Sequence, residues 1–238
     1  MWRKTAGSAF ISPRLKQTIF ITGTDTGAGK TVLTALATCF LASRKIRVAA
    51  FKPVCSEGRG DARILFEALA GAMTLDEINP WHFKAPLAPS FAARRENKSV
   101  SLAQVAGHIH ALQKGFDATI VEGAGGLLSP IGQDFNSRDL IRVLRARPII
   151  AAPNKLGVVN HVLLTLEGLP KTVRARAKVV LMSPARPDSA SATNAKLLGE
   201  FVPAEKIFTL PWLGRRFDPA AASMRPGVRR TLQRLLIR

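Results

Sequence analysis

Short apolar runs alternate along this chain with longer stretches whose apolar residues recur at helical spacing. TIFITG (18–23) leads into TVLTALATCFLAS, and RVAAFKPV (47–54) into DARILFEALAGA (61–72). After a proline-rich loop, LAQVAGHIHALQKG (102–115) reads as a helix and FDATIVEGAGG (116–126) as a strand running into a loop. SRDLIRVLRA (137–146) is a helix opened by Ser137, PIIAAPN (148–154) a strand and GVVNHVLLTLEGL (157–169) a helix. AKVVLMS (177–183), SATNAKLLGEF (191–201) and KIFTLPWL (206–213) continue as strand, helix, and strand with loop; VRRTLQRLLIR ends the chain as an amphipathic helix. Strands separated by helices require right-handed crossovers, hence a mainly parallel sheet with helices on both faces. The expectation is one α/β domain over 17–238 behind a basic extension, 1–16. Ligands of such sheets lie beyond the carboxyl ends of the strands, so the residues just after each strand carry the functional information.

Composition narrows the class. Hydrophobic residues make up 47% of the 238, enough for a buried core and too many for disorder. No apolar run reaches the roughly 18 residues of a membrane span. Two cysteines, Cys39 and Cys55, make no disulfide framework, and without a secretory signal a reducing cytoplasm fits best. Neither cysteine has a base nearby in sequence, and C-x-x-C metal spacing is absent. The net charge of +19 raises nucleic acid as a partner. The basic residues are scattered, however, and no aromatics interleave with them as stacking platforms. A solvated basic surface that attracts anions is the preferred reading. The opening MWRKTAGSAFISPRLKQT is basic and free of acids; a short transit peptide is one reading, a frayed extension the preferred one.

The first strand runs into TDTGAGKT and then a helix. Glycines let successive backbone N–H groups turn inward, and the helix dipole adds positive potential at the same place. Lys30 then reaches the β- and γ-phosphates of a nucleotide, and the Thr31 hydroxyl a Mg²⁺ ion. The strict G-x-x-x-x-G-K-[ST] pattern is not met, because Thr24 holds its first position and Gly23 lies one residue earlier. Asp25 stands where partitioning-type ATPases carry a second lysine, which weighs against that group.

Other strand ends supply further groups. Lys52 follows RVAAF and is held extended by Pro53. Glu122 ends DATIVE and precedes Gly123, Ala124, Gly125 and Gly126. Two readings stand for each: Lys52 as a crevice cation or a surface lysine, Glu122 as a metal-side acid or a turn acid. Asp61 is either a partner of its helix dipole or a ligand joining Thr31 and Glu122 around one octahedral Mg²⁺. Val158, Val159 and Asn160 open a helix, whose end favours an anion as every helix end does. His161 reads more readily as a capping or core histidine than as a catalyst.

Taken in order, GTDTGAGKT, KPVCS, the GDA around Asp61, NPWHF with APLAPSFAA, VEGAGG, KLGVVNH-VLLT and LPWL resemble the dethiobiotin synthetases over about residues 17 to 213. The resemblance implies a homodimeric P-loop NTPase-like domain that uses ATP, Mg²⁺ and CO₂ to convert 7,8-diaminononanoate to dethiobiotin in biotin biosynthesis. One amine takes up CO₂ to give a carbamate, whose oxygen attacks the γ-phosphate of ATP. The second amine then closes the ring and expels phosphate. The resemblance makes Lys30 and Lys52 the catalytic cations and Thr31, Asp61 and Glu122 the Mg²⁺ ligands. It gives the nucleotide Gly27, Ala28, Gly29, Val32, Gly123, Ala124 and Gly125, with Pro211, Trp212 and Leu213 on the base side. It places Thr26 and Ser56 near the diamine or carbamate. The amides of Val158, Val159 and Asn160 would take the substrate carboxylate from the neighbouring subunit.

The chain departs from this family at two places. Glu57 stands where a glycine is usual. Met182 and Ser183 stand where an asparagine reads the adenine edge, so ATP preference over other nucleotides is open. Asp218 matches an acid after the base-side loop, and Trp212 packs or stacks. The competing functions are a related amide-forming ligase and a nucleic-acid-associated ATPase. Replacing Lys30 or Lys52 by alanine is expected to reduce turnover by orders of magnitude and leave the fold intact.

Overall fold

The computed structural model describes residues 17–237; the expected extension over 1–16 lies outside them, as does Arg238. The chain begins β1 (Gln17–Gly23), α1 (Lys30–Ser43), β2 (Val48–Phe51), β3 (Val54–Cys55), α2 (Gly60–Ala68), α3 (Leu75–Ile78) and β4 (Trp81–His82). It continues α4 (Pro89–Arg95), α5 (Leu102–Leu112), β5 (Ala118–Gly126), α6 (Ser137–Val143), β6 (Arg147–Pro153), α7 (Val158–Glu167) and α8 (Lys171–Arg174). It ends β7 (Lys178–Met182), α9 (Ser189–Leu198), β8 (Ile207–Leu210), α10 (Pro219–Met224) and α11 (Pro226–Leu236).

Six strands pair in the order β2-β5-β1-β6-β7-β8, all parallel. The side-chain period of two sends neighbours in β1 to opposite faces. Phe20 joins one apolar layer with Val105, Ile109, Leu140 and Val162 from α5, α6 and α7. Ile19 and Ile21 join the other, with Leu33 and Phe40 of α1 and Leu232 and Leu235 of α11. Both faces are dry, which is why the strands read as continuous apolar runs. β1 is central, between β5 and β6, and its carboxyl end is where the chain's winding reverses direction.

The expected alternation holds, with local corrections. The strand read over 47–54 is broken: β2 ends at Phe51, and β3 pairs with β4 in a separate two-stranded sheet. Pro53 has no N–H for a ladder, so the main strand stops there. The helix read over 61–72 ends at Ala68, because Ala70 and Gly71 take left-handed backbone (φ 48° and 88°). The proline-rich loop holds α3, β4 and α4. β5 runs on through Gly126, where a loop was expected. Asn136, not Ser137, caps α6, accepting the Arg138 N–H. α10 was not foreseen; Asp218 caps it by accepting from Ala220 N at 2.8 Å.

Candidate active site

The loop between β1 and α1 is shaped by its glycines. Gly27 and Gly29 have φ of 70° and 86°, left-handed values that other residues adopt only with strain. A Cβ on Gly29 would also lie 3.0 Å from the Met182 side chain. Gly29 caps α1 with no side chain to engage the helix's first N–H groups, which leaves them to an anion. Lys30, 6% exposed, curls over the loop and donates from Nζ to the Asp25 carbonyl at 3.0 Å. Burial and the neighbouring Lys52 ammonium bring its pKa down to about 8.

Beside the loop lies a charged cluster. Phe51 and Val121 are in register on β2 and β5, so Lys52, just past the end of β2, lies beside Glu122 within β5. Lys52 Nζ lies 2.6 Å from Glu122 Oε1, 2.9 Å from Asp61 Oδ2 and 3.2 Å from the Gly123 carbonyl. The Thr31 hydroxyl donates to the same Glu122 Oε1 at 2.7 Å. Lys52 and Glu122 are 3% and 1% exposed, which removes the surface-lysine and turn-acid readings. Burial opposes the charge on Lys52, yet the Glu122 and Asp61 carboxylates outweigh it and raise its pKa. Burial likewise works against ionised Asp61, and Lys52 overrides it and lowers its pKa. The Lys52 peptide is clamped: its N–H donates to Ile78 O, and Asn79 Nδ2 donates to its carbonyl at 2.6 Å.

The chemistry of this cluster fits magnesium. Glu122 Oε2 is buried with no hydrogen-bond partner among the described residues. With Thr31 Oγ1 and Asp61 it offers a hard oxygen set of two carboxylates and a hydroxyl. Among the described residues no group of three or more His, Cys, Asp or Glu forms a cage of its own. Magnesium keeps waters and shares one or two carboxylates with substrate phosphates, so this smaller set suits it.

Two clefts meet at Gly27, Ala28, Gly29 and Val32. The larger, about 720 Å³, holds Thr26, Lys30, Thr31, Lys52, Asp61, Ala124 and Gly125 and reaches Ser56 and Glu57. The smaller, about 250 Å³, passes between Met182, Ser183 and Pro184 on one side and Pro211, Trp212, Leu213 and Phe217 on the other. Trp212 is half-exposed there, open for stacking. Asn154 also lines it, but its Nδ2 donates to Ser191 O and its Oδ1 accepts from Asn194, both at 2.9 Å. That amide is therefore engaged internally. Gly123 lies behind the cleft, its carbonyl turned to Lys52; a Cβ there would sit 2.5 Å from Ser137 Oγ.

Val158, Val159 and Asn160 line neither cleft. The Val158 N–H donates to the Lys155 carbonyl at 3.1 Å, so the expected three-amide anion site is left with Val159 and Asn160. His161 is exposed on α7, and both cysteines are buried free thiols. Sequence reasoning passed over Ser129, whose hydroxyl accepts the Gly126 N–H at 2.9 Å and fixes the glycine turn. A serine shortly after GAGG was the available signal. It also passed over Ile64, Leu87 and Pro130, apolar walls that no motif marks.

A parallel sheet with a glycine loop, a helix amino end and a lysine at its central crest defines a P-loop nucleotide-binding protein. The AAA domain family matches residues 17–216. The chain is 37% identical to the ATP-dependent dethiobiotin synthetase BioD of Anaeromyxobacter dehalogenans, covering 82% of this chain and 89% of the relative. The BioD proteins of Bacillus licheniformis and Bacillus subtilis are 33% and 31% identical, covering 76% and 82% of this chain and 80% and 84% of theirs. The chain belongs to the ATP-dependent dethiobiotin synthetase family. Solved structures with the same fold include pNOB8 ParA bound to nonspecific DNA (TM-score 0.53, 14% identity, 92% of this chain and 97% of that one). Another is the Aquifex aeolicus MinC:MinD complex (TM-score 0.53, 11% identity, 92% and 93%). At such identities they speak to the fold alone.

Proposed function

We propose that this protein carboxylates 7,8-diaminononanoate with CO₂ and closes the cyclic urea at the expense of ATP, giving dethiobiotin for biotin biosynthesis. One observation carries the reading: Lys30, Lys52, Thr31, Asp61 and Glu122 converge beside the glycine loop, where a γ-phosphate and a carbamate can share two ammonium groups. Phosphoryl transfer asks for position and charge balance more than covalent help. The inward N–H groups of the loop hold the phosphate chain, and Lys30 leaves the Asp25 carbonyl for a phosphate oxygen. Lys52 stays charged through its carboxylate partners and neutralises the carbamate oxygen as it attacks. Thr31, Asp61 and Glu122 would hold Mg²⁺, which would supply further charge balance on the phosphates. Thr26 and Ser56 face the diamine, and Pro211, Trp212 and Leu213 the base.

We also propose a homodimer in the cytoplasm. Leu156, just before α7, and Leu164 on it are 83% and 63% exposed, apolar side chains suited to a second copy. Pairing there would present the Val159 and Asn160 amides to the partner's cleft as a seat for the substrate carboxylate. Among the described residues no helix is long and apolar enough to cross a membrane.

The test is incubation with 7,8-diaminononanoate, bicarbonate, ATP and Mg²⁺, with mass-spectrometric detection of product. Dethiobiotin formed only when all four are present supports the proposal; phosphate release indifferent to the diamine, with no product, rejects it.

A further inference from the structure

The lining of the large cleft includes an exposed acid outside the Lys52 cluster. Glu57 has φ of 61°, and Gly58 after it 87°, two successive left-handed residues of which only the second is a glycine. This turn is tied down: Glu57 N–H donates to Ala85 O, Gly58 N–H to Phe83 O, and the Cys55 thiol to Gly58 O. The backbone thus holds an unfavourable conformation at a fixed place on the cleft wall, next to Ser56. The two acids on the lining differ. Asp61 is paired with Lys52, whereas no hydrogen bond or ion pair engages the Glu57 carboxylate among the described residues. In a chain with 35 basic and 16 acidic side chains, an unmatched carboxylate in a cleft is a local reversal of sign.

We propose that Glu57 is a specificity-determining residue that receives the ammonium group of the amine substrate. The inference rests on the function proposed above and names how this chain recognises its diamine. An aliphatic amine is protonated at neutral pH, but a neighbouring ammonium suppresses a second protonation. A vicinal diamine therefore arrives with one charged and one neutral nitrogen. The Lys30 and Lys52 end of the cleft repels the charged nitrogen, and Glu57 offers it a charge-assisted hydrogen bond. That orientation leaves the neutral nitrogen, the one able to add to CO₂, at the phosphate end.

Steady-state kinetics of wild type, Glu57→Gln and Glu57→Asp test this, with diaminononanoate and ATP varied separately. Glu57→Gln keeps the shape and removes the charge. Its KM for the diamine should rise about tenfold, the scale of one charge-assisted contact, while KM for ATP moves less than twofold. Glu57→Asp should recover part of the loss. Active wild type with a Glu57→Gln diamine KM within twofold of it overturns the inference and leaves the proposed function standing. Wild type that neither binds the diamine in calorimetry nor turns it over overturns both.

Discussion

Lys52 and Glu122 form a buried pair, and removing one partner strands the other's charge. Such a loss costs about 3–5 kcal/mol. Lys52→Ala is therefore expected to lower the urea midpoint as well as turnover, which revises the expectation that the fold would be untouched. The double variant Lys52→Met/Glu122→Gln should recover most of the midpoint and none of the activity. A Lys52→Ala midpoint equal to wild type would contradict the pairing. Lys30 differs, because among the described residues its ammonium hydrogen-bonds a loop carbonyl and forms no ion pair as close as that of Lys52. Lys30→Ala should leave the midpoint near wild type and cut kcat about 10²–10³-fold, the range for losing one preorganised charge donor. The buried thiols titrate late: burial, then Asp218, pushes Cys39 up to about 11, and burial raises Cys55. Their folded pKa exceeds the unfolded value near 8.5, so folding stability should fall as pH rises from about 9 toward 11. Disulfide-exchange reagents at pH 8 should label both slowly in the native protein; rapid native labelling would show that the thiols are accessible.

Glycines on different elements answer differently to the same substitution. Gly107, inside α5, has open space around a new Cβ and no positive φ. Gly107→Ala should stabilise by about 0.5–1 kcal/mol through helix propensity. Gly29→Ala meets both a left-handed φ and Met182, and should destabilise by about 1–3 kcal/mol while weakening nucleotide binding. Equal midpoints for these two variants would argue against the loop geometry. The β–α alternation, the glycine loop and the crest positions of Lys52 and Glu122 are legible in sequence because strand ends aim side chains at the crevice. β3, β4 and α4 are not, since elements of two to seven residues leave no period to read. Nor is the Lys52–Asp61–Glu122 contact, because Glu122 is 70 residues from Lys52 and only the pairing of β2 with β5 brings it alongside.

At the scale of the whole molecule, the chain carries a net charge of +19, and the proposed ligand is a polyanion. Long-range attraction of this kind speeds encounter and fades as salt shortens its reach to about 8 Å at physiological ionic strength. The association rate of ATP should fall as salt rises from low to physiological strength, measured by stopped flow; a rate indifferent to salt would confine the charge to solubility. The central claim is that the crest of β1, β2 and β5 holds a nucleotide's phosphates where a carbamate can reach them. Phosphate release from ATP and Mg²⁺, measured with and without diaminononanoate and bicarbonate, tests it most directly. The account predicts release in step with dethiobiotin, one for one, and almost none when either co-substrate is omitted. Release at the same rate without them, or none under any condition, would contradict it.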